Sequence, residues 1–147
     1  MQRLTQCNKG SYLVYERVYY SSKWEDVWHG GWNYPTLSST FLMYGTSTSD
    51  NQVRYRKDGR IVEIRGVVTP ASSIAGSTTG YTIFTLPAGY RPSSPISIVC
   101  QGSGTCSWLL GIKTSGAVEF SRYRDISGYA TANNNTWLPF QATFITG

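Results

Sequence analysis

Reactive side chains are scarce in this sequence. Its 147 residues include one histidine, His29, and three cysteines, Cys7, Cys100 and Cys106. A Ser–His–Asp or Cys–His centre would have to use His29, which sits in a glycine-rich segment with no nucleophile-elbow pattern. A zinc site would need that histidine with cysteines or carboxylates at ligand spacing, and no such spacing is present. Neither a metal nor another cofactor is therefore expected. Charge is sparse as well: charged residues are 14% of the chain against 40% hydrophobic. This excludes a disordered polyelectrolyte and argues against a long exposed helix. No apolar run approaches the ~20 residues of a membrane-spanning helix, so membrane insertion is not expected. The polar start, Met1-Gln-Arg-Leu-Thr-Gln-Cys7, does not read as a secretory leader, and an odd cysteine count then suggests reduced thiols. Cys100 and Cys106 either meet across a hairpin or lie as separate buried thiols on neighbouring strands.

Glycine, tyrosine and tryptophan are abundant, at 15, 11 and 5 residues, as in short strands joined by turns. The chain is long enough for one domain, or one domain with a small appendage. At this length ~68–70% of the unfolded surface can be buried, so no metal or disulfide is needed to hold a core.

The clearest local signal is Val53-Arg-Tyr-Arg-Lys-Asp-Gly-Arg-Ile-Val-Glu-Ile-Arg-Gly-Val-Val68, which reads as a β-hairpin. Asp58-Gly59 is a two-residue turn signal, since both types tolerate positive φ. Folding there predicts Lys57 opposite Arg60, Tyr55 opposite Val62, Val53 opposite Ile64 and Arg54 opposite Glu63. Alternation puts Val53, Tyr55, Val62 and Ile64 on one face and Arg54, Arg56, Ile61, Glu63 and Arg65 on the other. Such a sheet covers a core on one side and meets water or a partner on the other.

Residues 1–30 read as a small β module, with a strand over 12–20, a turn at Ser21-Ser22-Lys23 and a second strand carrying Trp24 and Trp28 on one face. Residues 29–35 form a linker or strap. Residues 31–147 hold further strands at 37–44, 81–86, 95–100, 107–114, 117–122 and 138–144. Ser115-Gly116 makes another tight turn, and residues 71–80 and 123–136 form polar loops. Trp108, Leu110 and Ile112 share a face, as do Val118 and Phe120, and Leu138, Phe140, Ala142 and Phe144 point inward. The fold class expected is all-β, an antiparallel β-sandwich or jelly-roll-like domain with a small N-terminal β appendage.

The net charge is +5. The arginines are spaced singly along strands rather than gathered in a run, which favours a solvated basic face or an anionic polysaccharide over nucleic acid. Two carboxylates across a cleft would suit glycoside hydrolysis, but Asp58 is committed to a turn, Glu63 faces arginines, and adjacent Glu25 and Asp26 point to opposite faces of a strand.

Three motifs in order, the 53–66 hairpin, Phe84-Thr-Leu-Pro-Ala-Gly-Tyr-Arg-Pro92 and Trp137-Leu-Pro-Phe140, resemble the C-terminal head domains of tail-fibre and receptor-binding proteins from phages and prophages of Gram-positive bacteria. The resemblance spans residues 37–147. Separately, Tyr15-Glu-Arg-Val-Tyr-Tyr-Ser-Ser-Lys-Trp-Glu-Asp-Val-Trp28 looks like small modules of phage tail fibres and tailocin knobs. The resemblance implies a homotrimeric, non-catalytic head that binds a host cell-surface polysaccharide or teichoic-acid-like polymer and contacts other tail or baseplate proteins. It also implies assembly in the bacterial cytoplasm and residence on the virion tail. The start at Met1-Gln2 reads as the beginning of a piece of a longer fibre. A structural fibre segment and a polysaccharide depolymerase are the alternatives.

A glycan site wants aromatic faces beside hydrogen-bonding loops. On that ground the candidate ligand residues are Arg122, Tyr123, Arg124, Asp125, Tyr129, Asn133, Asn134 and Asn135, with Trp108 as an aromatic platform or a core side chain. Trp137 is out of phase with Leu138 and Phe140, which leaves it for a subunit interface or a ligand platform.

Overall fold

A computed structural model describes residues 17–20, 23–26, 31–46 and 50–147, the first two segments by backbone alone. His29, Trp28 and Cys7 lie outside them. Two strands, β1 (Arg17–Tyr20) and β2 (Lys23–Asp26), form an antiparallel hairpin in which Tyr20 pairs with Lys23.

The remaining strands build an all-β sandwich. The first sheet is centred on β5 (Ile61–Pro70), the longest strand. Along one edge β5 pairs with β13 (Leu138–Ile145). Along the other it pairs with β4 (Arg54–Asp58), then with β3 (Phe41–Met43). The second sheet comprises β7 (Tyr81–Thr85), β8 (Ile96–Gln101), β9 (Ser107–Ile112), β10 (Ala117–Asp125) and β11 (Gly128–Tyr129). Strands β8, β9 and β10 form a meander, and β7 returns beside β10, giving a Greek-key order. A two-residue ribbon, β6 (Ile74–Ala75) with β12 (Thr131–Ala132), ties the 71–80 loop to the 130s.

Alternation carries through to the core. Trp108, Leu110 and Ile112, Val118 and Phe120, and Leu138, Phe140, Ala142 and Phe144 are all buried. Phe120 stacks at a tilt on Trp108, with centroids 5.5 Å apart, and meets Phe41 edge-on at 5.7 Å. These rings lock the two sheets together.

The β4–β5 hairpin corrects one expectation. Tyr55 lies opposite Ile64, Arg56 opposite Glu63, Arg54 opposite Arg65 and Asp58 opposite Ile61. The loop residues are Gly59 and Arg60, and only Gly59 takes positive φ (56°), the placement of a Gly-x turn rather than of Asp-Gly. Each partner therefore moves by two residues. An even shift preserves the faces, so Val62 and Ile64 still point into the core, while Glu63 joins Arg56 (2.7 Å) instead of Arg54. Gly116 plays a similar part between β9 and β10: the loop is three residues, 114–116, and Gly116 closes it at φ 93°. Outside β4, Trp32 is stacked by both Arg54 and Arg56, with ring centroids 4.7 and 4.4 Å from the guanidinium carbons.

Candidate functional site at the loop end of the sandwich

The strand directions put the ends of β5, β8 and β10, and the starts of β9 and β13, together at one end of the sandwich. The segment between β8 and β9 is the hub there. Its Gly102 amide donates to the Cys106 carbonyl at 2.7 Å, and its Ser103 hydroxyl accepts the Trp137 amide at 2.7 Å. Arg124 pairs across the ladder with Ser107. Sequence reasoning passed over Ser103, although a serine between two glycines is a frequent loop anchor.

A β-bulge shapes the end of β10. The register shifts between Ser121 and Arg124, so Arg122 and Tyr123 together face the single residue Trp108. Arg122 has φ 55°, the sole positive φ outside glycine among the described residues, and its amide donates to the Ser77 carbonyl at 2.7 Å. The bulge re-aims Tyr123 inward and leaves Arg122 and Arg124 exposed.

The ten expected ligand residues therefore divide. Trp108 and Tyr123 are 1% and 3% exposed, so neither ring can meet a ligand, and both are corrected to core residues. Trp108 is held by its indole N–H, which donates to the Gln101 carbonyl at 2.9 Å. Tyr123 is enclosed by Gly102, Cys106 and Thr136; burial, then hydrogen bonding to Cys106, pushes its hydroxyl up to about 12. Burial likewise pushes the Cys100 thiol up to about 11, and Cys100 and Cys106 are both free thiols.

The other eight come to the loop end, in two kinds. Asp125 and Asn133 hold turns: Asp125 Oδ1 accepts the Ser127 amide at 2.7 Å, and Asn133 Oδ1 accepts the Asn135 amide at 3.0 Å. Asn134 and Asn135 are exposed on that second turn, and Thr69 Oγ1 donates to the Asn133 carbonyl at 3.4 Å, fixing the turn to β5. Arg122, Arg124, Tyr129 and Trp137 face outward. Arg124 pairs with Tyr129 across the β10–β11 hairpin and its guanidinium lies 6.0 Å from the Tyr129 ring. Tyr129 is 55% exposed and Trp137 37%.

Three carboxylates among the described residues have structural partners: Glu63 with Arg56, Glu119 with Lys113 at 2.8 Å, and Asp125 with its own turn. The geometry offers aromatic faces, guanidinium groups and turn amides on a rigid frame, which suits recognition of a polar ligand bearing hydroxyls or negative charge. No protein-family model matches the chain, and no curated protein matches it.

Proposed function

We propose that this chain is the non-catalytic receptor-binding head of a phage tail fibre or baseplate, attaching a homotrimer to a host cell-surface glycan such as a wall polysaccharide or teichoic-acid-like polymer. The observation that carries the reading is the outward Arg124–Tyr129 pair, in register with Ser107 of β9, and Trp137, bonded to Ser103 of the β8–β9 segment, at one end of a rigid sandwich. Stacking faces with nearby guanidinium groups suit sugar rings and anionic polymers.

A trimer accounts for apolar pairs left on the outer faces. Ile61 and Ile145 lie opposite each other, 53% and 60% exposed, and Val99, 72% exposed, pairs with Leu109. Covering them in an assembly on the virion tail removes that apolar surface from water. Weak single sites then gain avidity of ~10²–10⁴ when several engage together.

The experiment is to measure the mass of the purified chain in solution and its adsorption to intact Gram-positive cells and extracted wall polymer. A trimer that adsorbs, and loses adsorption on Trp137→Ala with Tyr129→Ala, is expected. Unchanged adsorption in that double variant would assign the loop end a structural role, and release of sugar fragments from wall material would replace the reading with a depolymerase.

A further inference from the structure

The flank of the sandwich between β4 and β7 is bridged by residues 33–38, and this strap is pinned to both sheets. Asn33 exchanges backbone hydrogen bonds with Tyr55 of β4 at 2.8 and 2.9 Å. Ser38 donates its amide to the Ile83 carbonyl at 2.8 Å and its hydroxyl to the Thr82 carbonyl at 2.6 Å, both on β7. Beside the strap lies a cleft of about 520 Å³, lined by Tyr34, Tyr55, Phe84, Thr85, Pro87 and Arg91 among others. That volume falls within the ~300–1,000 Å³ range of small-molecule sites.

The lining has a definite chemistry. Tyr34 is 56% exposed although both ends of its strap are fixed, so an aromatic face is held at the mouth. Tyr55 also lines the cleft and is itself braced edge-on by Tyr90, with centroids 5.1 Å apart. Burial, then the neighbouring Tyr90, pushes the Tyr55 hydroxyl up. Arg91 is the one charged residue in the lining, and no carboxylate accompanies it. Its Nε donates to the Leu86 carbonyl at 3.0 Å, which fixes the stem, and its terminal nitrogens have no hydrogen-bond partner among the described residues. Lys57, whose Nζ donates to the Gly89 carbonyl at 2.6 Å and lies 5.8 Å from the Tyr90 ring, adds positive charge nearby.

From this arrangement we infer a second binding site, the Tyr34–Tyr55–Arg91 cleft, for a sugar ring bearing an anionic substituent. It deepens the reading of the chain as a glycan-binding head and rests on it. The rings supply stacking faces, and the forked guanidinium takes a carboxylate or a phosphate equally well. A uronic acid and a sugar phosphate share that chemistry, and the two are separated by the probes.

The full chain is titrated with glucuronate, glucose 6-phosphate and glucose, and binding is read by amide chemical shifts. The expected result is shifts centred on residues 34–38, 82–87 and 91, with at least one acidic sugar binding about five- to tenfold more tightly than glucose. Which acid binds better identifies the substituent. Tyr34→Ala, at an exposed position, should weaken every sugar about fivefold. Arg91→Gln should abolish the preference for acid, so that glucuronate, glucose 6-phosphate and glucose bind the variant alike. If losing the Leu86 contact unfolds that variant, the parent chain in rising salt tests the same point: the preference for acid should shrink with ionic strength while glucose binding holds, and a preference indifferent to salt would overturn the inference. Equal binding of glucose and both acids, no shifts with any sugar, or shifts produced by a proline-rich peptide instead would overturn the inference. Cell adsorption by the loop end is measured separately, so a silent cleft with intact adsorption sinks this site alone.

Discussion

The Arg122 amide donates to the Ser77 carbonyl at 2.7 Å from a backbone conformation, φ 55°, that L residues with side chains rarely adopt. The bond anchors the bulge that turns Tyr123 into the core and leaves Arg124 outside. Left-handed backbone costs a non-glycine residue ~1–2 kcal/mol, whereas glycine adds ~0.4–1 kcal/mol of chain entropy to the unfolded state.

Arg122→Gly should therefore hold or raise stability, by up to about 1 kcal/mol, and Arg122→Val should lower it by more than 1 kcal/mol, since a β-branched residue tolerates that region worst. Urea unfolding of both variants checks the ordering. The reverse order would mean that the arginine side chain, not the backbone, holds the bulge.

Gly66→Ala tests the neighbouring sheet. A Cβ on Gly66 would lie 2.6 Å from Val53 Cα and 2.8 Å from Val53 Cγ2. Backbone cannot yield as a flexible side chain can, so a loss of about 1–3 kcal/mol is expected. Val53→Ala in the same chain removes Cγ2 but not Cα, and so should recover only part of the loss. Thermal melts of the single and double variants read both steps.

These two glycine-type positions mark the limit of legibility in the sequence. Strand faces followed from two-residue alternation, which is why the inward Phe140 and Phe144 and the outward Trp137 were readable, whereas the same alternation left Trp108 open between core and ligand platform until its burial decided it. Register was not: whether Asp58 enters the turn or ends the strand depends on one φ value, and moving it re-paired Glu63 from Arg54 to Arg56. The bulge was equally hidden, because a repulsive left-handed φ at an arginine leaves no mark in the sequence. Simple alternation from Phe120 would turn Arg122 inward and Tyr123 outward, the opposite of what is found. Of the site, residues 123–136 read as one polar loop, whereas β10 continues to Asp125 and the short strands β11 and β12 lie within the stretch; its division into turn-holding and outward residues depended on hydrogen bonds from Ser127, Asn135 and Thr69. The Tyr34–Arg91 cleft joins segments far apart in the chain, and no local pattern announces it.

Alkaline pH should weaken the fold in a defined window. Cys100 is pushed from 9.0 up to about 11, and Tyr123 from 10.0 up to about 12. A group with a raised folded pKa loses its proton more readily when unfolded. Its contribution is complete below the unfolded pKa and disappears as pH rises through the folded one. Stability should therefore fall from about pH 9 for Cys100 and from about pH 10 for Tyr123. Urea midpoints from pH 8 upward check this, and Cys100→Ser should flatten the earlier part of the fall. A midpoint that stays constant to pH 11 in the parent chain would contradict the burial assigned to Cys100.

Trp137 gives the sharpest test of the loop end, because its backbone and side chain have separate tasks. The amide donates to Ser103, a bond that Trp137→Ala retains, while the half-exposed ring is removed. Stability should change by less than about 1 kcal/mol. A lost stacking contact is worth ~0.5–1.5 kcal/mol, or roughly a two- to tenfold weakening at one site. If three sites engage one surface, that factor is compounded to as much as ~10³. The variant should thus bind soluble wall-polymer fragments only slightly less well, yet adsorb to whole cells far less well. Equal losses in the two assays would mean that only one site per particle is engaged, and no loss in either would remove Trp137 from the ligand surface.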